Sequence, residues 1–342
     1  MPNGIVKSKT LEFIHHTMYL KNFFSTMLLV IDQQPKTNLT VVVELFLVGF
    51  QGSHVLRIFL FLLFFLVFVA TVCGNLMIIL LVSFSKNLHT PMYFFISQLS
   101  ISDILLTTNI VPNMFHVLLN NGGVISFTGC ITQLYFFSAS EEFECFLLTV
   151  MSYDRYLAIC NPLRYASIMT RAYCVMMVLV SLVLCFTVSI IVTTTLSTLT
   201  FCGMIINHFV CDTVPLVELA CSDTFIIHME IYILSIPLVI APTIIIISCY
   251  VNIIVNILRI PSNTGRQKAF STCSSHLTVV SIFYWTMFSV YVVPTKGQSS
   301  TISKILSLLY TVFTPLINPI IYSLRNKDII KAVQATFNQQ MS

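Results

Sequence analysis

Six charged side chains lie inside or at the edge of long apolar stretches of this 342-residue chain: Asp103, Glu141, Glu142, Glu144, Asp154 and Arg155. Charge in or beside hydrocarbon is costly, so such residues face a protein interior or water and mark function. Asp154 and Arg155 are adjacent in M-S-Y-D-R-Y-L-A-I-C, Met151 to Cys160. Arg155 can pair with Asp154 in one state and find other partners when neighbouring helices move. Asp103 and Glu144 lie at comparable depth on successive apolar segments. Two neighbouring carboxylates do not both stay ionised cheaply, so the sequence predicts either a proton on one or a Na+ ion between them. Glu141 and Glu144 are three apart and share a helical face, while Glu142 is rotated sideways. Glu141 and Glu142 suit a pocket for a cationic or strongly hydrogen-bonding ligand; the alternative is a pair of protonated structural donors.

The elements that must position these groups are membrane spans. The chain is 56% hydrophobic and 9% charged, against about 25% charged in a soluble domain. A surface so poor in charge needs lipid over much of it. Seven apolar segments stand out: Val55–Phe84, Pro91–Leu119, Cys130–Ile159, Ala172–Thr193, Glu230–Leu258, Lys268–Val293 and Ile302–Leu324. Each reaches the ~20 residues a spanning helix needs, and none has the short alternating pattern of a membrane barrel. Lys86, Arg155, Arg164, Arg171, Arg259, Arg266, Lys268, Arg325, Lys327 and Lys331 then gather on one side, whereas residues 194–223 contain no Lys or Arg. That bias predicts an extracellular N-terminus and a cytoplasmic C-terminus. The basic residues form no nucleic-acid patch.

Four of the eleven Cys fall on the outer side: Cys130, Cys202, Cys211 and Cys221. An even number in an oxidising compartment predicts two disulfides, with three pairings open. Asn38 begins the sole N-x-S/T sequon free of proline, also on the outer side. Residues 1–26 precede a second Met, Met27, and read as either a true extension or an upstream-extended frame. They lack the features of a signal peptide. The division expected is an arm at 1–54, a helical domain at 55–324 and a tail at 325–342.

Further motifs occur in order. The second segment opens L-H-T-P-M-Y-F-F-I-S-Q-L-S-I-S-D-I at Leu88. The fifth carries S-C-Y-V-N-I-I at Ser248, and the sixth K-A-F-S-T-C-S-S-H-L-T-V-V at Lys268. The seventh ends P-L-I-N-P-I-I-Y-S-L-R-N at Pro315. Asn318-Pro319 interrupts a helical hydrogen bond and predicts a hinge about which Tyr322 swings. The tail Lys327–Phe337 is short, basic and amphipathic. With M-S-Y-D-R-Y-L-A-I-C, this set resembles the vertebrate olfactory receptors, a branch of the rhodopsin-like G-protein-coupled receptors, over roughly Asn38 to Phe337.

The resemblance implies an all-α seven-transmembrane helix bundle in the plasma membrane, a multi-pass receptor and not an enzyme, with no catalytic residues. It implies disulfides Cys130–Cys211 and Cys202–Cys221. By position it implies an odorant pocket at Phe137, Ser138, Glu141, Glu142, Ser235, Tyr284, Met287, Phe288 and Tyr291. It implies activation and coupling residues at Asp103, Glu144, Asp154, Arg155, Tyr156, Tyr250, Lys268, Asn318, Pro319 and Tyr322, with no cofactor beyond the Na+ considered at Asp103 and Glu144. The implied partners are a small odorant, membrane lipid and a stimulatory olfactory-type heterotrimeric G protein that raises cyclic AMP.

Departures from the family pattern are two acids at Glu141 and Glu142, where small residues are usual, and Trp285, where Gly is frequent. Trp285 is expected to alter packing behind the pocket. His276 is expected to be a hydrogen-bonded core residue. A transporter or channel built on the same acids is disfavoured, because seven spans make no two equal halves. No protease signature is present. A non-nasal chemoreceptor keeps the family and changes the site of expression.

Overall fold

The computed structural model describes residues 43–291, 300–325 and 329–334. Local chemistry starts each helix. Ser53 caps α1 (His54–Phe84) by accepting the Leu56 N–H at 3.3 Å. α2 (Pro91–Leu119) begins on a proline, whose missing N–H would lack a helical partner there anyway. Ser126 caps α3 (Phe127–Cys160) through the Gly129 N–H. Pro162 opens the short α4 (Pro162–Ile168), and Thr170 caps α5 (Arg171–Ser197) through the Tyr173 N–H. Asp212 caps α6 (Thr213–Leu219). α7 (Phe225–Leu258) contains a π turn at Ile236–Ile240, where Pro237 withholds a donor. α8 spans Asn263–Tyr291. α9 runs through Ser300–Leu308, a second π turn at Leu309–Phe313, and Thr314–Arg325. Residues 329–334 are helical, with Ile329 buried against the bundle.

Five of these helices are long and apolar enough to cross a membrane: α1, α2, α5, α7 and the Thr301–Ser323 part of α9. α3 and α8 fall outside that set. α3 carries Glu141, Glu142, Glu144, Asp154 and Arg155, and α8 opens on a polar, basic stretch.

The polarity of the bundle is inverted relative to a water-soluble protein. On α1, Val55, Phe59, Leu62 and Leu66 are exposed while Thr71 and Asn75 are fully buried. An exposed apolar surface of that extent fits a lipid solvent. α3 is the central column, packed against α2, α5, α7 and α8. The core divides into one cluster around Phe95, Met151, Tyr250 and Tyr322, and another around Ile110, Phe137, Phe209 and Val312.

A small mixed sheet lies against the second cluster. β1 (Glu44–Leu47) pairs antiparallel with β2 (Gly123–Ser126) and parallel with β3 (Ile205–Ile206). Leu45 and Leu47 alternate inward into the core. The sequence reading had left residues 44–47 in an arm without structure. Gly49, just after β1, adopts φ +63, and an added Cβ would lie 2.4 Å from Val117 Cγ1. Glycine suits both constraints. Its carbonyl accepts Lys304 Nζ at 2.7 Å, and the same ammonium donates to Asn207 Oδ1 at 2.8 Å. The Gly49 N–H donates to the His208 carbonyl. Cys130 is bonded to Cys211, and Cys202 to Cys221, which ties the β3 loop to α3 and to itself.

His208 is buried, stacks on Phe209 at 4.7 Å, and accepts the Val210 N–H on Nδ1. Burial, and then the Lys304 charge, hold its imidazole down to about 4. Burial pushes the Asp212 carboxyl up to about 6, opposed by the Thr213 N–H. The two act in opposite directions. The depressed imidazole contributes stability that is whole above an unfolded value of about 6.5 and is lost as pH falls toward 4. The raised carboxyl contributes stability that is whole below an unfolded value of about 3.9 and fades as pH rises through 6. Thermal unfolding in neutral-lipid nanodiscs should therefore separate them. As pH falls from about 7 to about 5, His208→Asn should lose less stability than the parent chain, or gain some, because of these two opposed contributions that of His208 is gone and that of Asp212 remains. Identical pH dependence in both proteins would remove His208 from this account.

Candidate functional site

Three polar clusters run along α3. The most deeply buried joins α2, α3 and α9. Asp103 is fully buried and accepts from Asn318 Nδ2 on both carboxylate oxygens, each at 3.1 Å. The Asp103 and Glu144 side chains are hydrogen-bonded to each other. A bond between two carboxyls requires a proton on one of them. Glu144 Oε1 and Asn75 Oδ1 have no hydrogen-bond partner among the described residues.

Asn75, on α1, was not singled out in the sequence, although an amide inside an apolar run is a signal of the kind used for Asp103. Its Nδ2 donates to Thr71 O at 3.1 Å and to Pro315 O at 3.0 Å. Pro315 is four residues before Pro319, so its carbonyl is the one that Pro319 leaves without a helical donor. Asn75 supplies that donor from another helix. Gly74 lets α1 approach there: an added Cβ would sit 3.3 Å from Pro319 Cγ.

The second cluster sits at the far end of α3. Asp154 and Arg155 form the one ion pair among the described residues. Arg155 donates from Nε to Asp154 Oδ2 at 2.8 Å, and Tyr165 on α4 donates to Oδ1 at 2.8 Å. Fully buried, Asp154 thus has both oxygens occupied. Tyr156 turns aside and accepts from Asn161 Nδ2 at 3.4 Å. Tyr250 on α7 is not bonded to Arg155; its hydroxyl is paired with His276 Nδ1 on α8. Tyr322 is buried with a hydroxyl that has no partner among the described residues. The Lys268 side chain lies outside the described residues.

The third cluster occupies the half of α3 nearer Cys130. Glu141 is buried, while Glu142 turns toward α5 and accepts from Ser189 Oγ at 3.4 Å. Glu230 on α7, which the sequence reading did not select, accepts from Thr195 at 3.0 Å. Tyr284 contacts Cys145 Sγ at 3.1 Å, and Cys145 also reaches Leu238 O in the π turn of α7. Phe137 is buried, its ring 5.7 Å from that of Tyr310. Ser138 is half-buried, and Met287 packs on the core.

Two expected pocket residues are not drawn into this group. Phe288 is 55% exposed, on the outer face of α8, and the Ser235 hydroxyl is spent on Tyr232 O in its own helix. Trp285, expected behind the pocket, is instead 72% exposed. A large apolar ring is at home against lipid, and α8 turns that face outward. Asn38 and the Tyr291 side chain lie outside the described residues.

The Asp103 cluster yields a stability expectation. Asn318→Ala withdraws both amide contacts and should cost about 1–3 kcal/mol in thermal unfolding of the purified protein. Asn318→Asp, which adds a third carboxyl to the site, should cost more than Asn318→Ala. An unchanged melting temperature in both variants would show that the amide is dispensable.

The comparisons with known proteins agree with one another. Residues 63–340 match the family model described as olfactory receptor. Olfactory receptor 11L1 of Homo sapiens is 45% identical over 304 residues, covering 89% of this chain and 94% of the relative. Olfactory receptor 10A7 of Homo sapiens is 43% identical over 305 residues, 89% and 96% of the two chains. Olfactory receptor 5G26 of Mus musculus is 45% identical over 304 residues, again 89% and 96%. Among solved structures, squid rhodopsin superposes with a TM-score of 0.67 at 17% identity, covering 86% of this chain and 88% of that one. That likeness speaks to the fold. With a helical bundle of rhodopsin type and relatives matched over nearly their whole length, the chain belongs to the olfactory receptor family, multi-pass receptors of the plasma membrane rather than enzymes.

Proposed function

We propose that this receptor spans the membrane seven times, with residues 1–54 as an extracellular arm glycosylated at Asn38, a receptor domain at 55–324 and a cytoplasmic tail at 325–342. A small odorant enters from the Cys130 end. It meets Phe137, Ser138, Glu141, Glu142, Tyr284 and Met287, with Ser235, Phe288 and Tyr291 at the margin. Binding shifts an existing equilibrium between closed and open inner faces. Opening frees Arg155 from Asp154, releases Tyr250 from His276 toward Arg155, and lets Tyr322 move about the Asn318-Pro319 break. The crevice formed with Tyr156 and Lys268 takes a stimulatory olfactory-type G protein, and cyclic AMP rises.

The observation that carries this reading is the closed Asp154–Arg155–Tyr165 cluster in a chain of this family. It is a polar lock in which an ion pair on α3 is closed by a hydroxyl from α4, a bond that a movement of one element against the other would break. The ligand class we read from Glu141, buried on α3, and Glu142, half-buried beside it and turned toward Ser189 of α5: a cationic or strongly hydrogen-bonding odorant, such as an amine.

Asp103 and Glu144 are also a candidate Na+ site. Two carboxyls with the unpartnered Glu144 Oε1 and Asn75 Oδ1 offer the hard oxygens that such an ion takes. The described residues hold no group of three or more His, Cys, Asp or Glu, so carbonyl and amide oxygens would complete the set.

The test is cyclic AMP in cells expressing the chain, challenged with amines, acids and neutral volatiles. Arg155→Ala should be silent at normal surface level. Glu141→Gln and Glu142→Gln should lose tenfold or more in amine potency, about the worth of one charge-assisted hydrogen bond. A response confined to acids and neutral volatiles, or intact potency in both variants, would sink the amine reading and leave the receptor.

A further inference from the structure

Away from these clusters, at the Asp154 end, a groove of about 640 Å³ opens between the end of α1, the start of α2 and the start of α5. Its walls are apolar: Val82, Leu88, Phe94, Met169 and Val175. Its polar lining includes His89, Thr90, Ser97 and Arg171, and it holds no acidic residue. Ser97 already donates to its own helix and His89 Nε2 lies 3.4 Å from Ser83 O, which leaves Arg171 and the second ring nitrogen of His89 as the basic groups able to meet an anion.

We propose that this groove binds one anionic phospholipid of the cytoplasmic leaflet, with the phosphate at Arg171 and His89 and an acyl chain along α5. The orientation rests on the receptor reading above; the groove itself does not.

Three observations converge. Arg171 is exposed and has no carboxylate partner, because the one ion pair among the described residues is Asp154–Arg155. Arg171 is also the first residue of the 27-residue α5, where unpaired backbone N–H groups and the helix dipole favour negative charge. A cation is poorly placed at that terminus unless an anion joins it. The groove also adjoins an apolar surface. It runs at Val175 onto the exposed apolar face of α5, through Leu179 and Val183. A free phosphate would use the cations and leave that face without a role. A phospholipid uses both, the head at the basic rim and the chain along the helix. About 640 Å³ holds a headgroup and the upper part of a chain, with the remainder in the bilayer.

Native mass spectrometry of the purified full-length chain tests this, with phosphatidylserine, phosphatidylcholine of the same chains and inorganic phosphate as probes. Phosphatidylserine should be retained over phosphatidylcholine. Arg171→Gln and His89→Gln should each lower that retention by roughly fivefold, the effect of one basic residue at an anionic surface. Arg171→Lys should keep most of it, and Arg259→Gln, a basic residue outside the groove, should change nothing. Val175→Trp keeps both charges and narrows the mouth; it should also lower retention, so the cavity is tested even where a charge variant is unstable. Equal retention of the two lipids, or unaltered phosphatidylserine binding in Arg171→Gln and Val175→Trp, overturns the proposal. Displacement by inorganic phosphate overturns the lipid in favour of a soluble anion. The readout needs no G protein. Normal lipid retention with no cyclic AMP response would therefore count against coupling alone, and the reverse against the groove alone.

Discussion

Everything in this bundle follows from the scarcity of water inside it. A polar group in hydrocarbon has no solvent to fall back on, so one left without a partner from the chain is costly. The Asp103, Glu144 and Asn318 contact is the deepest instance and holds three helices in one arrangement. Apolar side chains, which organise a soluble core, cannot do this alone here, since lipid tails satisfy them equally well. Specific packing is therefore set by a few polar contacts, and the exposed apolar faces of α1, α5 and α7 are free to be generic.

The same constraint explains the two ends of the molecule. At the Asp154 end, a buried acid is surrounded by Arg155 and Tyr165, and the Tyr250 hydroxyl is paired with His276 Nδ1. Asp154 and Arg155 are neighbours on α3, while Tyr165, Tyr250 and His276 come from three other helices, so a rearrangement can exchange partners without leaving a charge bare. At the Cys130 end, disulfides and the buried Lys304 play the corresponding part. There the ammonium gathers a carbonyl from beyond β1 and an amide from beyond β3. One end is held by exchangeable bonds and the other by disulfides and a buried ammonium shared between two oxygens, a division suited to a molecule that moves on one side.

Much of this was legible in the sequence, for physical reasons. Long apolar runs are unmistakable, and the helices fall within a few residues of Val55–Phe84, Pro91–Leu119 and the other segments read from composition. Asp103, Asp154 and Arg155 stood out because charge among Leu and Ile is expensive. Contacts between distant residues were hidden. Residues 44–47 are too short to announce a strand, and their partners lie in two separate loops. Lys304 lies near the start of α9, and only the fold brings the Gly49 and Asn207 oxygens around it. The outward turn of Phe288 and Trp285 depends on helix rotation, which a uniformly apolar segment such as α8's second half does not encode. The π turns, which shift that rotation in α7 and α9, leave no periodic trace.

The bond from Asn75 to Pro315 has a consequence for substitution. The carbonyl of Pro315 has one donor because Pro319 cannot provide the usual one. A substitution that returned an N–H at position 319 would set two donors competing for the same oxygen and leave the Asn75 amide with its bond to Thr71 O inside α1. Loss of Asn75 would strand the carbonyl on α9. Positions 75 and 319, on helices whose bonded residues lie 240 apart in sequence, are thus physically coupled, and a change at either one alone costs the bond between α1 and α9.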